Sequence, residues 1–91
     1  MATSGRFWPT RAQLRRRYRL MRRMMRTSGV QADAAARIDG GLAFGEARAK
    51  CRYCLHEEAC RVWLASAKGL QVPPDFCPNV RFFRSFRIID H

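Results

Sequence analysis

The 91-residue sequence predicts an all-α fold, a small single-domain helical module stapled by a four-cysteine metal site. Three observations carry that expectation. Apolar residues recur at helical spacing in the N-terminal third, glycines and prolines divide the remainder into helix-length pieces, and no run alternates with the period of two that a half-buried strand requires. A chain this short buries a modest share of its surface, so its core is marginal without reinforcement, and four cysteines offer it. The 47% hydrophobic content is ordinary for a globular body and too high for a disordered chain.

Residues 1–10 read as a flexible lead and 11–91 as one helical domain. Thr10 is placed to cap a basic amphipathic helix over 11–26. Its apolar face is Leu14, Tyr18, Met21 and Met25, widened by Leu20 and Met24, and Thr27-Ser28-Gly29 stops it. The alanine-rich stretch 31–38 predicts a short second helix ended by Gly40-Gly41. A third runs from Leu42 through Lys50 and delivers the first cysteine. After a break near Leu55-His56, a fourth spans 57–66, with Glu57 and Glu58 in its first turn where the helix dipole favours acids. Pro73-Pro74 forces an extended turn, and Cys77-Pro78 is read as opening a last short helix. Phe82-Phe83 and Ile88-Ile89 are the stretches with an alternative reading as strand fragments.

The cysteine spacing is C-x2-C-x5-C-x16-C: Cys51, Cys54, Cys60 and Cys77. Residues three apart share a helix face, so Cys51 and Cys54 can chelate one centre. Cys60 cannot join them on a straight helix, because six residues turn it by about 600°. The chain must bend around residues 55–57 for the three sulfurs to converge. Four-cysteine zinc sites usually show two close pairs, and this sequence has one. A tight group plus one distant cysteine, and a cysteine followed by proline as at Cys77-Pro78, fit cluster ligation better. The expected cofactor is therefore a [4Fe–4S] cluster, with zinc the alternative and unligated or disulfide cysteines the third reading.

Other chemistry fits less well. A c-type haem needs C-x-x-C-H, and Leu55 separates Cys54 from His56. His56 reads first as a solvated helix cap and second as a replacement ligand. No third group is evident to orient a Cys–His pair, so no enzymatic activity and no small-molecule substrate are expected. Trp63, Phe76, Phe82, Phe83 and Phe86 are expected either as plain core or as an apolar shell that limits water at the metal.

The pattern Leu20-Met21-Arg22-Arg23-Met24-Met25, Gly29-Val30, C-x2-C-x5-C with Trp63-Leu64, and Pro74-Asp75-Phe76-Cys77-Pro78-Asn79 with Phe83 resembles a family of short bacterial cysteine-rich proteins of unassigned function. The resemblance implies that the four cysteines belong together. The segment from Cys51 to Cys60 is also similar to the C-x2-C-x5-C portion of WhiB-like regulators, which carry a [4Fe–4S] cluster; there the fourth cysteine lies upstream, whereas Cys77 lies downstream.

The formal charge is +11, and it is unevenly placed. Residues 1–26 hold nine arginines and no acid, while 27–91 hold nine basic and seven acidic side chains. Eight arginines on one helix without an acid repel one another, and an external anion relieves that repulsion. Arginine favours bidentate contact with carboxylate or phosphate. Arg15, Arg16, Arg19, Arg22, Arg23 and Arg26 are the candidate partner-binding residues. A larger acidic protein is the first expected partner, nucleic acid the second and a membrane surface the third, with Gln13 alone on that helix suited to reading base edges.

No stretch approaches the roughly 20 apolar residues of a membrane helix, and no apolar h-region marks a secretory signal. The Arg-rich, acid-free start is similar to a transit peptide, but its continuation into a helix favours a retained arm. A cytoplasmic, reducing location is expected, which favours metal ligation over disulfides. The expected function is a non-catalytic accessory or electron-transfer module docked on an acidic partner. The alternatives are a zinc- or cluster-stabilised nucleic-acid-binding regulator and a plain zinc-stapled structural protein.

Overall fold

The computed structural model describes residues 9–88. Most of the lead expected over residues 1–10, and Ile89 of the strand alternative, lie outside them. Five α-helices follow one another: α1 (Arg11–Thr27), α2 (Ala32–Arg37), α3 (Leu42–Arg52), α4 (Glu57–Ser66) and α5 (Val80–Ser85), with a 3-10 turn, Ile38–Gly41, between α2 and α3. Among the described residues there is no strand, only an isolated antiparallel bridge between Val30 and Arg87. No helix among them is long and apolar enough to cross a membrane.

Helix α1 organises the molecule, and local chemistry fixes both its ends. The Thr10 hydroxyl accepts a bond from the Gln13 amide at 3.1 Å, and Gln13 Oε1 accepts one from the Thr10 amide at 2.8 Å. This reciprocal capping box satisfies two donors that the first turn would leave unpaired. At the other end, Gly29 takes the left-handed conformation (φ 68°), its N–H meets the Arg26 carbonyl, and the Val30 N–H meets that of Met25. That pair of bonds is a Schellman closure, and the positive φ is why glycine stands there.

The C-terminal segment folds back onto this end. Ile88 donates to the Gly29 carbonyl and Gln31 to that of Phe86, while the Arg87 guanidinium, buried, donates from Nε to the Ser28 carbonyl at 2.7 Å. A cation beside the exposed carbonyls of a helix C-terminus is favourably placed.

The apolar face of α1 is core. Leu20, Met21, Met24 and Met25 are buried, and Met21, Met24 and Met25 join Ala35 of α2, Ala47 of α3, Cys77 and Phe83 of α5 in one cluster. Alanines at 35 and 47 allow α2 and α3 to approach closely, and α1 packs against α3 and α4.

Two further boundaries depart from expectation. The second helix is shorter, because Asp39, Gly40 and Gly41 all adopt positive φ and break the regular winding. The last helix begins at Val80 instead of Cys77, since residues 74–80 form successive turns in which Cys77 donates to the Pro74 carbonyl and Val80 to that of Cys77. Phe82 and Phe83 are helical, which removes their strand reading.

Candidate metal centre

Three segments bring the four thiols to one place. Cys51 lies in the last turn of α3, Cys54 in the loop after it, and Cys60 in the first turns of α4. Cys77 arrives from the turn that precedes α5. The helical path stops at Arg52 and resumes at Glu57, which supplies the bend the six-residue spacing requires. All four cysteines are free and line a single cavity of about 30 Å³. Its other walls are Leu20, Met21 and Met24 of α1, together with Phe76, Pro78 and Phe83, and Arg17 and Glu57 also line it. Of the aromatic shell expected around the site, Phe76 and Phe83 reach the cavity, whereas Trp63, Phe82 and Phe86 pack on the core away from its lining. Among the described residues, no group of three or more His, Cys, Asp or Glu side chains is arranged to hold a single metal ion.

Two of the sulfurs have hydrogen-bond donors. The Asn79 side-chain Nδ2 donates to Cys51 Sγ at 3.2 Å, and the His56 main-chain N–H donates to Cys54 Sγ at 3.3 Å. His56 occupies the N-cap position of α4 as expected, but its side chain makes no capping bond and its ring tilts over Phe76 at 5.8 Å.

Burial and mutual repulsion dominate the thiol electrostatics. Desolvation, reinforced by the charge of Cys77, pushes the Cys51 thiol up to about 12, against the opposing bond from Asn79. Cys60 is pushed up to about 11, by burial first and then by Cys77 and Cys54, while the nearby Arg23 charge pulls it down. Cys77 is raised by burial as well. Without a cation these three thiols hold their protons at neutral pH. A metal taken up here must displace them, as soft thiolate ligation always requires.

The arginines of α1 divide into two sets. Arg16 and Arg17 both reach Glu57 at the start of α4, the Arg17 Nε at 2.9 Å, and Arg17 also donates to the Arg52 carbonyl at the end of α3. Arg23 faces Cys60 electrostatically. Arg15, Arg19, Arg22 and Arg26 are exposed and follow the spacing i, i+4, i+7, i+11, which makes them one stripe. Of the six arginines expected to bind a partner, Arg16 is thus engaged internally and Arg23 sits beside the cysteines. Arg48 of α3 lies over the Tyr18 ring at 4.5 Å, a cation–π contact between α3 and α1.

Glu57 and Asn79 are the residues that spacing did not single out. Glu57 carried a signal only as an acid in a helix first turn, and nothing local pairs it with arginines 40 positions upstream. Desolvation alone would raise the Glu57 carboxyl, but the hydrogen bonds and charges of Arg16 and Arg17 outweigh it and hold it below its ordinary 4.5. Because the folded value is the lower one, the cluster stabilises the fold fully above about pH 4.5, and that contribution disappears as pH falls through the folded value. Glu57→Gln should cost about 1–2 kcal/mol at pH 7, chiefly through Arg17, since Arg16 is 45% exposed and screened. Thermal melts of parent and variant should converge between pH 5 and pH 3; a constant gap across that range would show that the carboxylate charge is not what stabilises the junction.

The fold and site define a small helical protein with four thiols gathered between its first, third and fourth helices. A family model described as a family of unknown function (DUF6455) matches residues 8–88, and the chain belongs to that family. No curated protein and no solved structure matches it.

Proposed function

We propose that this chain is a small non-catalytic metalloprotein that holds one [4Fe–4S] cluster through Cys51, Cys54, Cys60 and Cys77 and serves as an accessory or electron-transfer module. The observation that carries the reading is the convergence of all four thiols, from three separate segments, on one cavity with largely apolar walls. The donor set suits the group. It is four soft sulfurs with N–H donors aimed at two of them, which is the environment that sets cluster potentials. The neighbouring carboxylate of Glu57 is held by two arginines and so is drawn away from ligation.

A cluster is preferred to zinc on ligand spacing: Cys51 and Cys54 are the one close pair, and Cys77 is a distant cysteine followed by proline. A cluster brings its own irons and sulfides. When bound, it supplies one-electron exchange. The chain's own part is to fix the sulfurs, exclude water with Met21, Met24, Phe76 and Phe83, and place Arg17 and Arg23 near the negative charge of the thiolates. The outward arginine stripe then serves as the docking face for a larger acidic protein.

Protein purified without oxygen should be brown, with broad visible absorption and iron and sulfide in near-equal amounts. Colourless protein with stoichiometric zinc would replace this reading with a structural zinc site, and metal-free protein with full helicity would end both.

A further inference from the structure

We infer that Asn79 is the positioning residue of the thiol site: it registers the turn that carries the distant Cys77 against Cys51 and, through side-chain N–H donation to the Cys51 sulfur, sets how tightly the site holds a metal. The inference rests on the four-thiol reading above. Asn79 is 1% exposed, and its side chain spans two elements. Nδ2 donates to the Ala47 carbonyl within α3 at 2.8 Å and to Cys51 Sγ at 3.2 Å, while its own backbone stands two residues after Cys77. One residue therefore ties the Cys77 turn to a sulfur 26 positions before Cys77, the separation that sequence spacing alone cannot close.

Two details argue against a merely structural asparagine. Asn79 occupies the N-cap position of α5, where asparagine is favoured for capping the first turn, yet its side chain makes no capping bond. Its buried Oδ1 has no hydrogen-bond partner among the described residues. Leaving a buried carbonyl unsatisfied and a helix uncapped both cost stability. What the orientation gains is the pair of N–H bonds from Nδ2, one to the Ala47 carbonyl in the middle of α3 and one to the Cys51 sulfur. Donors to metal-bound sulfur disperse its negative charge, orient it, and in an iron–sulfur site favour the reduced form.

The test uses the full chain. Cobalt(II) titration, followed by its thiolate charge-transfer absorption, should show Asn79→Ala binding 10- to 100-fold more weakly than the parent, the usual consequence of losing a partner of a ligand. In the iron-reconstituted protein the same variant should show a more negative reduction potential. Because the substitution could also unfold α5, the parent loaded with NMR-active cadmium provides a measurement that needs no variant. Scalar coupling through sulfur should appear from the metal to the side-chain N–H protons of Asn79. Absence of coupling to the side-chain protons, or an Asn79→Ala protein with parental cobalt affinity, overturns the inference while leaving the four-thiol site standing. A parent that takes up neither cobalt, cadmium nor a cluster removes the site itself, and Asn79's role with it.

Discussion

Cys77→Ser should abolish metal retention and unfold most of the helical structure at room temperature. Cys77 is a core residue as well as a candidate ligand, 7% exposed and packed with Met21, Met24, Ala47 and Phe83. It also anchors the turns over residues 74–80 that launch α5, and α5 carries the fully buried Phe83. A domain of this size has roughly 5–15 kcal/mol of stability in total. Structural zinc in small peptides supplies roughly 10–16 kcal/mol of apparent binding energy near neutral pH, so a lost ligand is on the scale of the whole fold. Each kcal/mol lost lowers the melting temperature by roughly 4–8 °C at this size, which puts the variant's transition tens of degrees below the parent's. Cys54→Ser should be nearly as damaging. Metal analysis and far-UV circular dichroism on the two variants decide the matter. If Cys77→Ser keeps the parent's metal content and helicity, the fourth ligand lies elsewhere, and His56 is the first suspect because its segment already contacts Cys54.

Where local chemistry sets an element, the sequence suffices to read it. Thr10 makes the start of α1 legible and glycine at position 29 its end, while the reciprocal bond from Gln13 is a feature the structure adds. The acids at 57 and 58 place the start of α4, and the impossibility of bringing Cys60 round to Cys54 on one helix requires the break before it. The last helix was harder to place. Cys77-Pro78 looks like a helix start, but the turns that put Cys77 in the core postpone winding until Val80. The pairings that tie elements together leave no mark in spacing at all. Glu57 with Arg16 and Arg17, Arg87 with Ser28, and Asn79 with Cys51 and Ala47 join residues 28 to 59 positions apart. Each depends on how distant elements pack together, which a helical period does not encode.

The same packing explains why one helix carries so many arginines without being torn away from a basic protein. Arg16 and Arg17 reach Glu57, and Arg23 lies near enough to Cys60 to pull its thiol down. Arg15, Arg19, Arg22 and Arg26 make no ion pair among the described residues.

Replacing Arg15, Arg19, Arg22 and Arg26 together by glutamine should therefore slow association with an acidic partner by roughly 10- to 1000-fold, the range that electrostatic steering provides. All four are exposed and form one stripe, and none makes an ion pair among the described residues. Glutamine is close to arginine in helix propensity, and removing like charges at i, i+4 spacing relieves repulsion, so α1 should persist and the metal content should be unchanged. Arg17→Gln offers the contrast: it removes the links to Glu57 and to the Arg52 carbonyl, and so should lower stability while leaving the stripe intact. Association rates measured for the cross-linked cellular partner, over a range of salt, are the direct readout, with the parent's rate falling steeply as salt rises and the four-glutamine variant's hardly changing. The same series identifies the anion. A log–log salt slope on generic duplex DNA near the counterion-release value would transfer the stripe to nucleic acid, and binding confined to anionic vesicles would make α1 a membrane-surface helix. If the variant associates with its cellular partner as fast as the parent, docking does not run through this stripe, and the exposed Leu55 beside Cys54, at 94% exposure the most solvent-open large apolar side chain among the described residues, becomes the next surface to alter.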